Sequence, residues 1–349
     1  MSMSHRARRE WRIILWVSLA SAVVSAIFGV RVAPADEWWL RSATHGAIYS
    51  LVIATPIVLF QLKGDQLAFM RRLRRRPLAV YFAFKVLFYF IVIVGGLLIV
   101  RLLLSDDFAT YINFSPVFRQ SLVFSIVMSV VGTLFFEAGG LLGVTTLRNL
   151  LTGRYVQPRR EQRSFLLIDM KDSTGMAERL GAVRFHELLN HFFRDVADAA
   201  LECEAEIHKY VGDEAILTWN ADAGLVDGAT LLCPFVARDF IAAQKTQYLA
   251  QFGAVPEFRA ALHCGEIVAG EIGDVRREIA YVGDTLNVAA RLLDAAKELG
   301  HDILASEDLL ARTALPEGLK VERLPTLTVR GRVAPLGIAA LERGAVSTR

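Results

Sequence analysis

Two aspartates in the second half of the sequence close apolar runs: Asp169 follows FLLI at 165–168, and Asp213 lies within KYVGDEAI at 209–216. The second run otherwise reads as a buried β-hairpin, with apolar residues at Ile207, Val211, Ile216, Leu217 and Trp219. Charge at Lys209, Asp213 and Glu214 is therefore either solvated at an exposed tip or facing something that compensates it. If the two strand ends are neighbours, Asp169 and Asp213 lie side by side. Such a pair cannot stay fully ionised without a cation, and Mg²⁺, held by one or two carboxylates plus phosphate oxygens, is the natural one. The KDSTG turn after Asp169 opens a helix whose N–H groups would face the same phosphates. Taken alone, that turn is better explained by Asp172, Ser173 or Thr174 capping the helix, since it is short and lacks P-loop spacing. In YVGDTLNVAARLLDAAKE, Asn287 and Arg291 are one turn apart on one helix face, and Leu286, Ala290 and Leu293 mark a different, apolar one. A solvated helix with Arg291 paired to Asp294 or Asp284 accounts for that pattern equally well.

These residues need a scaffold. The FLLI run suits a strand covered on both faces. A long amphipathic helix is expected over 176–201, with apolar positions at Leu180, Val183, Leu188, Phe192 and Val196. After the hairpin come a second helix around 226–251, strands near 258–263 and 267–272, and a third helix starting near Thr285. Helices returning onto a strand layer argue for an α+β or α/β sandwich.

The first half is a different kind of chain. Of 349 residues, 54% are hydrophobic, and the mean hydropathy of +0.38 is too apolar for a purely soluble protein. Apolar runs at 13–30, 43–62, 78–104 and roughly 121–144 each approach the length that crosses a bilayer. Basic residues cluster before the first run (Arg6, Arg8, Arg9, Arg12), between the second and third (Arg71, Arg72, Arg74, Arg75, Arg76) and after the fourth (Arg148, Arg154, Arg159, Arg160). The other connections carry Asp36, Glu37, Asp106 and Asp107, so both termini are expected in the cytoplasm. A cleaved signal peptide at the start would leave the later spans oriented the same way. Trp38 and Trp39 suit an interfacial belt. Lys85 lies near enough to the inner end of its span to snorkel. Glu137, beside Gly139 and Gly140, is expected to face a helix partner or a cavity, as a packing or a signalling feature. The connector TTLRNLLTGRYVQPRREQR has helical spacing at Leu147, Leu150 and Leu151 and is broken by Gly153 and Pro158. It reads either as a basic segment held to anionic lipid or as a short helix pairing with its copy in a dimer. Cys203, Cys233 and Cys264 are odd in number and widely spaced, the pattern of buried thiols in a reducing compartment rather than of a disulfide or zinc site.

Taken together, FLLIDMKDST, HKYVGDEAILTW, FRAALHCGEIVAGEIG and YVGDTLNVAAR resemble, in order and separation, the catalytic domain of class III nucleotidyl cyclases over residues 164 to about 341. The LLTGRYVQPRREQR connector is similar to the segment preceding such domains in membrane-anchored bacterial adenylate cyclases. The resemblance implies an α+β fold: a helical transmembrane bundle over 1–146, a juxtamembrane connector over 147–163 and a ferredoxin-like cyclase domain over 164–349. It implies that Asp169 and Asp213 hold two Mg²⁺ or Mn²⁺ ions per site. Lys209 would contact adenine, Asn287 would orient the ribose, and Arg291 would stabilise charge on the α-phosphate. Asp172, Ser173 and Thr174 would line the phosphates, and Arg259 and Arg330 would bind the outer ones, although the family usually has lysine at the second position. Glu214 has no catalytic role by this mapping. The metal and base contacts come from one subunit and the asparagine and arginine from the other, so a homodimer is implied. The partners are then ATP, a second copy and the bilayer, with no nucleic acid, and the location an inner membrane with catalysis in the cytoplasm.

One departure stands out. Adenylate cyclases often place an aspartate or threonine seven positions before the asparagine, and here that position is Ala280. Lys209 still favours ATP, since guanylate-specific members typically carry glutamate there. VGDEA at 211–215 superficially resembles the diguanylate cyclase signature, but the first glycine and the phenylalanine of that signature are missing. The rival of another class is a membrane receptor whose cyclase-like domain only binds nucleotide.

Overall fold

The computed structural model describes residues 5–33, 38–64, 67–73, 76–104, 116–220, 228–275, 277–328 and 335–344. The chain divides into two compact units, 1–147 and 148–349.

The first unit is helical: α1 (His5–Val32), α2 (Trp39–Lys63), α3 (Ala68–Leu73), α4 (Leu78–Leu104) and α5 (Pro116–Leu142), followed by the short α6 (Val144–Leu151). Four segments, Glu10–Val32, Trp39–Lys63, Ala83–Leu103 and Pro116–Gly140, are long and apolar enough to cross a membrane. Small residues bring α1 and α2 together. A Cβ at Gly46 would strike the Ser25 carbonyl, and one at Gly29 would strike that of Ser42. Ser21 and Ser50 share a hydrogen bond of 2.8 Å, and Thr55 donates to Ser18 at 3.2 Å. Lys85 is only 4% exposed and does not snorkel. Its ammonium is 2.5 Å from Glu137 on α5 and 3.2 Å from Gln61 on α2. Gln61 in turn donates to Glu137 at 3.1 Å. Glu137 therefore faces helix partners, joined to α2 and α4 through charge-assisted bonds.

The second unit is a mixed sheet with helices. In chain order it contains β1 (Arg159–Met170), α7 (Ser173–Leu180), α8 (Ala182–Glu202), β2 (Glu206–Val211), β3 (Glu214–Asn220), α9 (Ala229–Ala243), α10 (Lys245–Phe252), β4 (Phe258–Ile272), β5 (Glu278–Val282), α11 (Asp284–Leu299), β6 (Ile303–Ser306), α12 (Glu307–Leu310), β7 (Leu319–Leu327) and β8 (Leu336–Arg343). The strand order is β2-β3-β1-β4-β6-β8-β7, with β5 pairing β4. Strand β1 runs antiparallel to both β3 and β4, and β2 and β3 form a hairpin. The β1-α-β2-β3-α-β4 part is therefore the split βαβ of a ferredoxin-like fold.

Alternation along β1 divides the core. Leu166, Ile168 and Met170 pack with α8, α9 and α10 around Leu188, Phe192, Val196, Leu231 and Phe235. Phe165 and Leu167 pack on the other face against Val288, Ala289, Leu292 and Ala296 of α11.

Several local expectations are corrected. The long first helix is broken at Gly181, whose φ of 76° suits glycine, and Val183 just beyond it is 76% exposed. The two strands expected at 258–272 are one continuous strand, and the second helix is two. On α11 the buried stripe is Val288, Ala289, Leu292, Leu293, Ala295 and Ala296, whereas Ala290 is exposed. In the hairpin Val211 is exposed while Ile216, Leu217 and Trp219 are buried. The part of the second helix expected over 226–227 lies outside the described residues.

Candidate active site

Cross-strand register builds the site. Asp169, near the end of β1, is directly opposite Glu214 at the start of β3 and Arg259 at the start of β4. All three alternate with residues of the α8–α10 core, so they lie in one row on the face covered by α11. Asp213 sits in the tight turn between β2 and β3, reached through Gly212 at φ 63°. Glycine adopts that left-handed conformation without the Cβ clash other residues meet, which lets the turn present the carboxylate beside the row.

The electrostatics are those of crowded carboxylates. Burial, and then the charge of Asp213, raise the Asp169 pKa above its ordinary value, while Lys297 and Arg259 act to lower it. Glu214 is pushed up to about 7, first by burial and then by Asp169, Asp213 and Asp294. Burial first, and crowded negative charge second, disfavour the ionised form of both carboxyls. The donors Asp169 and Asp213 offer only oxygen, which suits a hard cation. Among the described residues no group of three or more His, Cys, Asp or Glu side chains could hold an ion by itself. An ion there would take its remaining ligands from water and substrate phosphates, as Mg²⁺ does.

Lys209 is exposed on β2, opposite Ile216, whose side chain belongs to the α11 face. It therefore shares a face with Asp169 and Arg259. Asp172 adopts a left-handed backbone (φ 52°) before α7 and makes no side-chain cap. Its carboxylate pairs instead with Arg179 at 3.0 Å, both side chains exposed. Ser173 is half-buried and Thr174 exposed at the start of that helix. Asn287 and Arg291 are exposed on α11. Among the described residues no ion pair joins Arg291 to Asp294 or Asp284, and no hydrogen bond joins Asn287 or Arg291 to Asp169, Asp213 or Glu214. Arg330 lies outside the described residues.

Sequence reasoning took Asp294 only as a candidate partner of Arg291 and passed over Lys297. Their charges act on Asp169 from the last turns of α11, and the signal was their spacing from Asn287 and Arg291 along one exposed stripe. It also passed over a polar cluster toward the other end of β1, where Arg163 is opposite Asn220 and Gly265. Arg163, 3% exposed, is 3.0 Å from Glu161 and 3.2 Å from Glu206. It donates to the Tyr155 hydroxyl at 3.1 Å and lies 4.8 Å from the Tyr281 ring centroid.

The profile of the adenylate and guanylate cyclase catalytic domain matches residues 155–337. The chain is 35% identical over 305 residues to "Adenylate cyclase 2" of Rhizobium meliloti (strain 1021), covering 86% of this chain and 84% of that one. It is 26% identical over 184 residues to "Adenylate cyclase 1" of the same organism, covering 51% of this chain and 27% of that one. Among solved structures, a bacterial light-regulated adenylyl cyclase matches with a TM-score of 0.51 at 15% identity, covering 69% of this chain and 67% of that one, a likeness of fold.

Proposed function

Since this chain belongs to the class III nucleotidyl cyclases, we propose that it is a membrane-anchored adenylate cyclase that converts ATP to 3′,5′-cyclic AMP and pyrophosphate. The observation that carries the reading is the row of Asp169, Glu214 and Arg259 on one sheet face beside Asp213 and Lys209. It supplies acid oxygens for metal, a cation for phosphate and a cation for a base within one patch.

Asp169 and Asp213 would hold the two divalent ions, Mg²⁺ or Mn²⁺. Bound there, these supply acidity to the ribose 3′-hydroxyl and neutralise the triphosphate. Arg259 holds an outer phosphate, as does Arg330. The first turn of α7, from Asp172 through Ser173 and Thr174, offers backbone N–H groups to the same anion. Lys209 donates to the adenine ring. Asn287 fixes the ribose so that O3′ meets the α-phosphorus in line, and Arg291 neutralises the charge that grows there as pyrophosphate leaves.

Among the described residues Asn287 and Arg291 make no hydrogen bond to the acid row of their own chain, which favours a homodimer in which each chain lends this pair to the other's site. Residues 1–146 are read as the anchor, 147–163 as the connector and 164–349 as the catalytic domain. The basic clusters favour a cytoplasmic catalytic domain at an inner membrane.

The test is turnover by the full-length protein in detergent or lipid, given ATP or GTP with Mg²⁺ or Mn²⁺, beside Asp213→Ala. Cyclic AMP from ATP, lost in the variant, is expected. Cyclic GMP as the main product would overturn the role of Lys209. Nucleotide binding without any product would favour the receptor.

A further inference from the structure

We propose that His208, through a β-bulge and a stack on Tyr281, is the positioning residue that aims Lys209 at the nucleobase and so sets the preference for adenine, an inference that rests on Lys209 contacting the base. In an unbroken strand, residues 207 and 209 point to the same face. Here they do not. Ile207 is opposite Leu217, a residue of the α8–α10 core, whereas Lys209 is opposite Ile216, a residue of the α11 core. The register shifts between them, and His208 is the extra residue. Without the bulge, the pairing that puts Ile207 in the core would also drive Lys209 into it.

The bulge is held from one side. The His208 imidazole stacks on Tyr281 of β5, with centroids 4.5 Å apart and planes at 29°. Tyr281 is itself fixed, edge-on to Phe165 at 5.8 Å and under the Arg163 guanidinium at 4.8 Å. Burial, with Lys209 and Arg163 as neighbouring cations, pushes the His208 pKa down to about 4, so the ring stacks as a neutral imidazole. Strand β2 ends the sheet, with β3 as its one neighbour in the strand order. The stack therefore restrains this edge strand from the α11 face of the sheet, where no second neighbouring strand among the described residues holds it. Ala280, adjacent to Tyr281, has no side-chain group to hydrogen-bond a base. Discrimination then depends on where Lys209 points.

The test compares kcat/KM for ATP and for GTP in the full-length protein carrying His208→Ala, His208→Phe, Lys209→Ala or both alanines. His208→Ala is expected to lower kcat/KM for ATP by about ten- to a hundredfold, the size of a hydrogen bond to a charged group. GTP turnover should change less, so the ATP:GTP ratio falls toward that of Lys209→Ala. His208→Phe keeps a flat ring on Tyr281 and restores most of the ratio, and the double variant is no worse than Lys209→Ala. If Lys209→Ala collapses the ratio while His208→Ala leaves it at the wild-type value, the positioning role is wrong. If Lys209→Ala itself leaves the ratio unchanged, the base contact fails, and the role of His208 with it. Should His208→Ala not fold, Tyr281→Leu removes the stack from the other side and reads the same ratio.

Discussion

Replacing Arg163 by Met keeps most of its length and apolar stem and removes its charge. Arg163 is 3% exposed, against 10% for Glu161 and 34% for Glu206, so the change strands one nearly buried carboxylate and one partly buried one. Removing one partner of a buried pair costs about 3–5 kcal/mol. Arg154 at 3.0 Å and the Tyr155 hydroxyl at 3.1 Å would remain on Glu161, which places the expected loss near the lower end of that range. The sign of the pH dependence follows from Glu161. Burial alone would raise its pKa, but bonds from Arg163, Arg154 and Tyr155 hold it below the ordinary 4.5. A depressed carboxylate stabilises the fold above its unfolded pKa, and that contribution is lost as pH falls through the folded value. Without Arg163 the first-named of those lowering contacts is gone, the folded pKa of Glu161 rises, and less stability is left for acid to remove. The gap between wild type and variant should therefore be widest at neutral pH and narrow on acidification. Hydrogen exchange of β1 amides in the detergent-solubilised full chain, corrected for intrinsic rates, reads this near pH 7.5 and pH 5. Adding Glu161→Gln should recover at least about 1 kcal/mol, since it removes the stranded charge. A loss under about 1 kcal/mol, a double variant no better than the single, or a gap that widens in acid would refute the reasoning.

Mixing Asp213→Ala chains with Asn287→Ala chains, each inactive alone, should restore about a quarter of wild-type turnover, because half the random dimers are mixed and each carries one intact composite site; no recovery after subunit exchange would argue against shared sites. Gly212→Ala introduces a Cβ at φ 63° with nothing within 4 Å of it, so its effect is backbone strain of about 1–2 kcal/mol. The turn should shift Asp213 and raise the Mg²⁺ concentration needed for half-maximal turnover, and an unchanged metal titration would count against its role. Lys85→Met should weaken the α2–α4–α5 packing in a denaturing-detergent titration by about 1–2 kcal/mol, with Lys85→Met plus Glu137→Gln milder than the single change; equal losses would mean that the pair is not coupled.

The strand and helix order around the site was legible because FLLI, the hairpin and the α11 stripe carry strong apolar patterns. What was not legible depended on packing. In α11, leucines and alanines occupy several faces, so Leu286 and Ala290 fit an apolar stripe as well as Val288 and Ala289 do, and the sheet decides between them. The break at Gly181 was hidden because helical spacing continues across it. HKYV gives no sign of a bulge, since His208 is an ordinary alternating residue until its register with β3 is known. Lys85 reads as snorkelling and Glu137 as facing a helix partner or a cavity, but that the two face each other shows only once the helices are set side by side. Asp169 and Asp213 were legible as a pair of strand-end acids, while the row with Glu214 and Arg259 needed the antiparallel register.

The close fit of α1 on α2 implies an order of biogenesis. The two helices meet through backbone-close contacts at Gly29 and Gly46 and through serine and threonine hydroxyls. They can leave the translocation machinery as a finished hairpin, with its polar groups satisfied inside the pair. Lys85 has only part of such a solution, the Gln61 side-chain oxygen on α2 and the Tyr81 ring on its own helix. Its carboxylate partner is 52 residues further along the chain. A ribosome needs several seconds to make that length. During that interval those groups can solvate the ammonium but not neutralise it, so the charge balance of the α4 span depends on the fourth span, made after it.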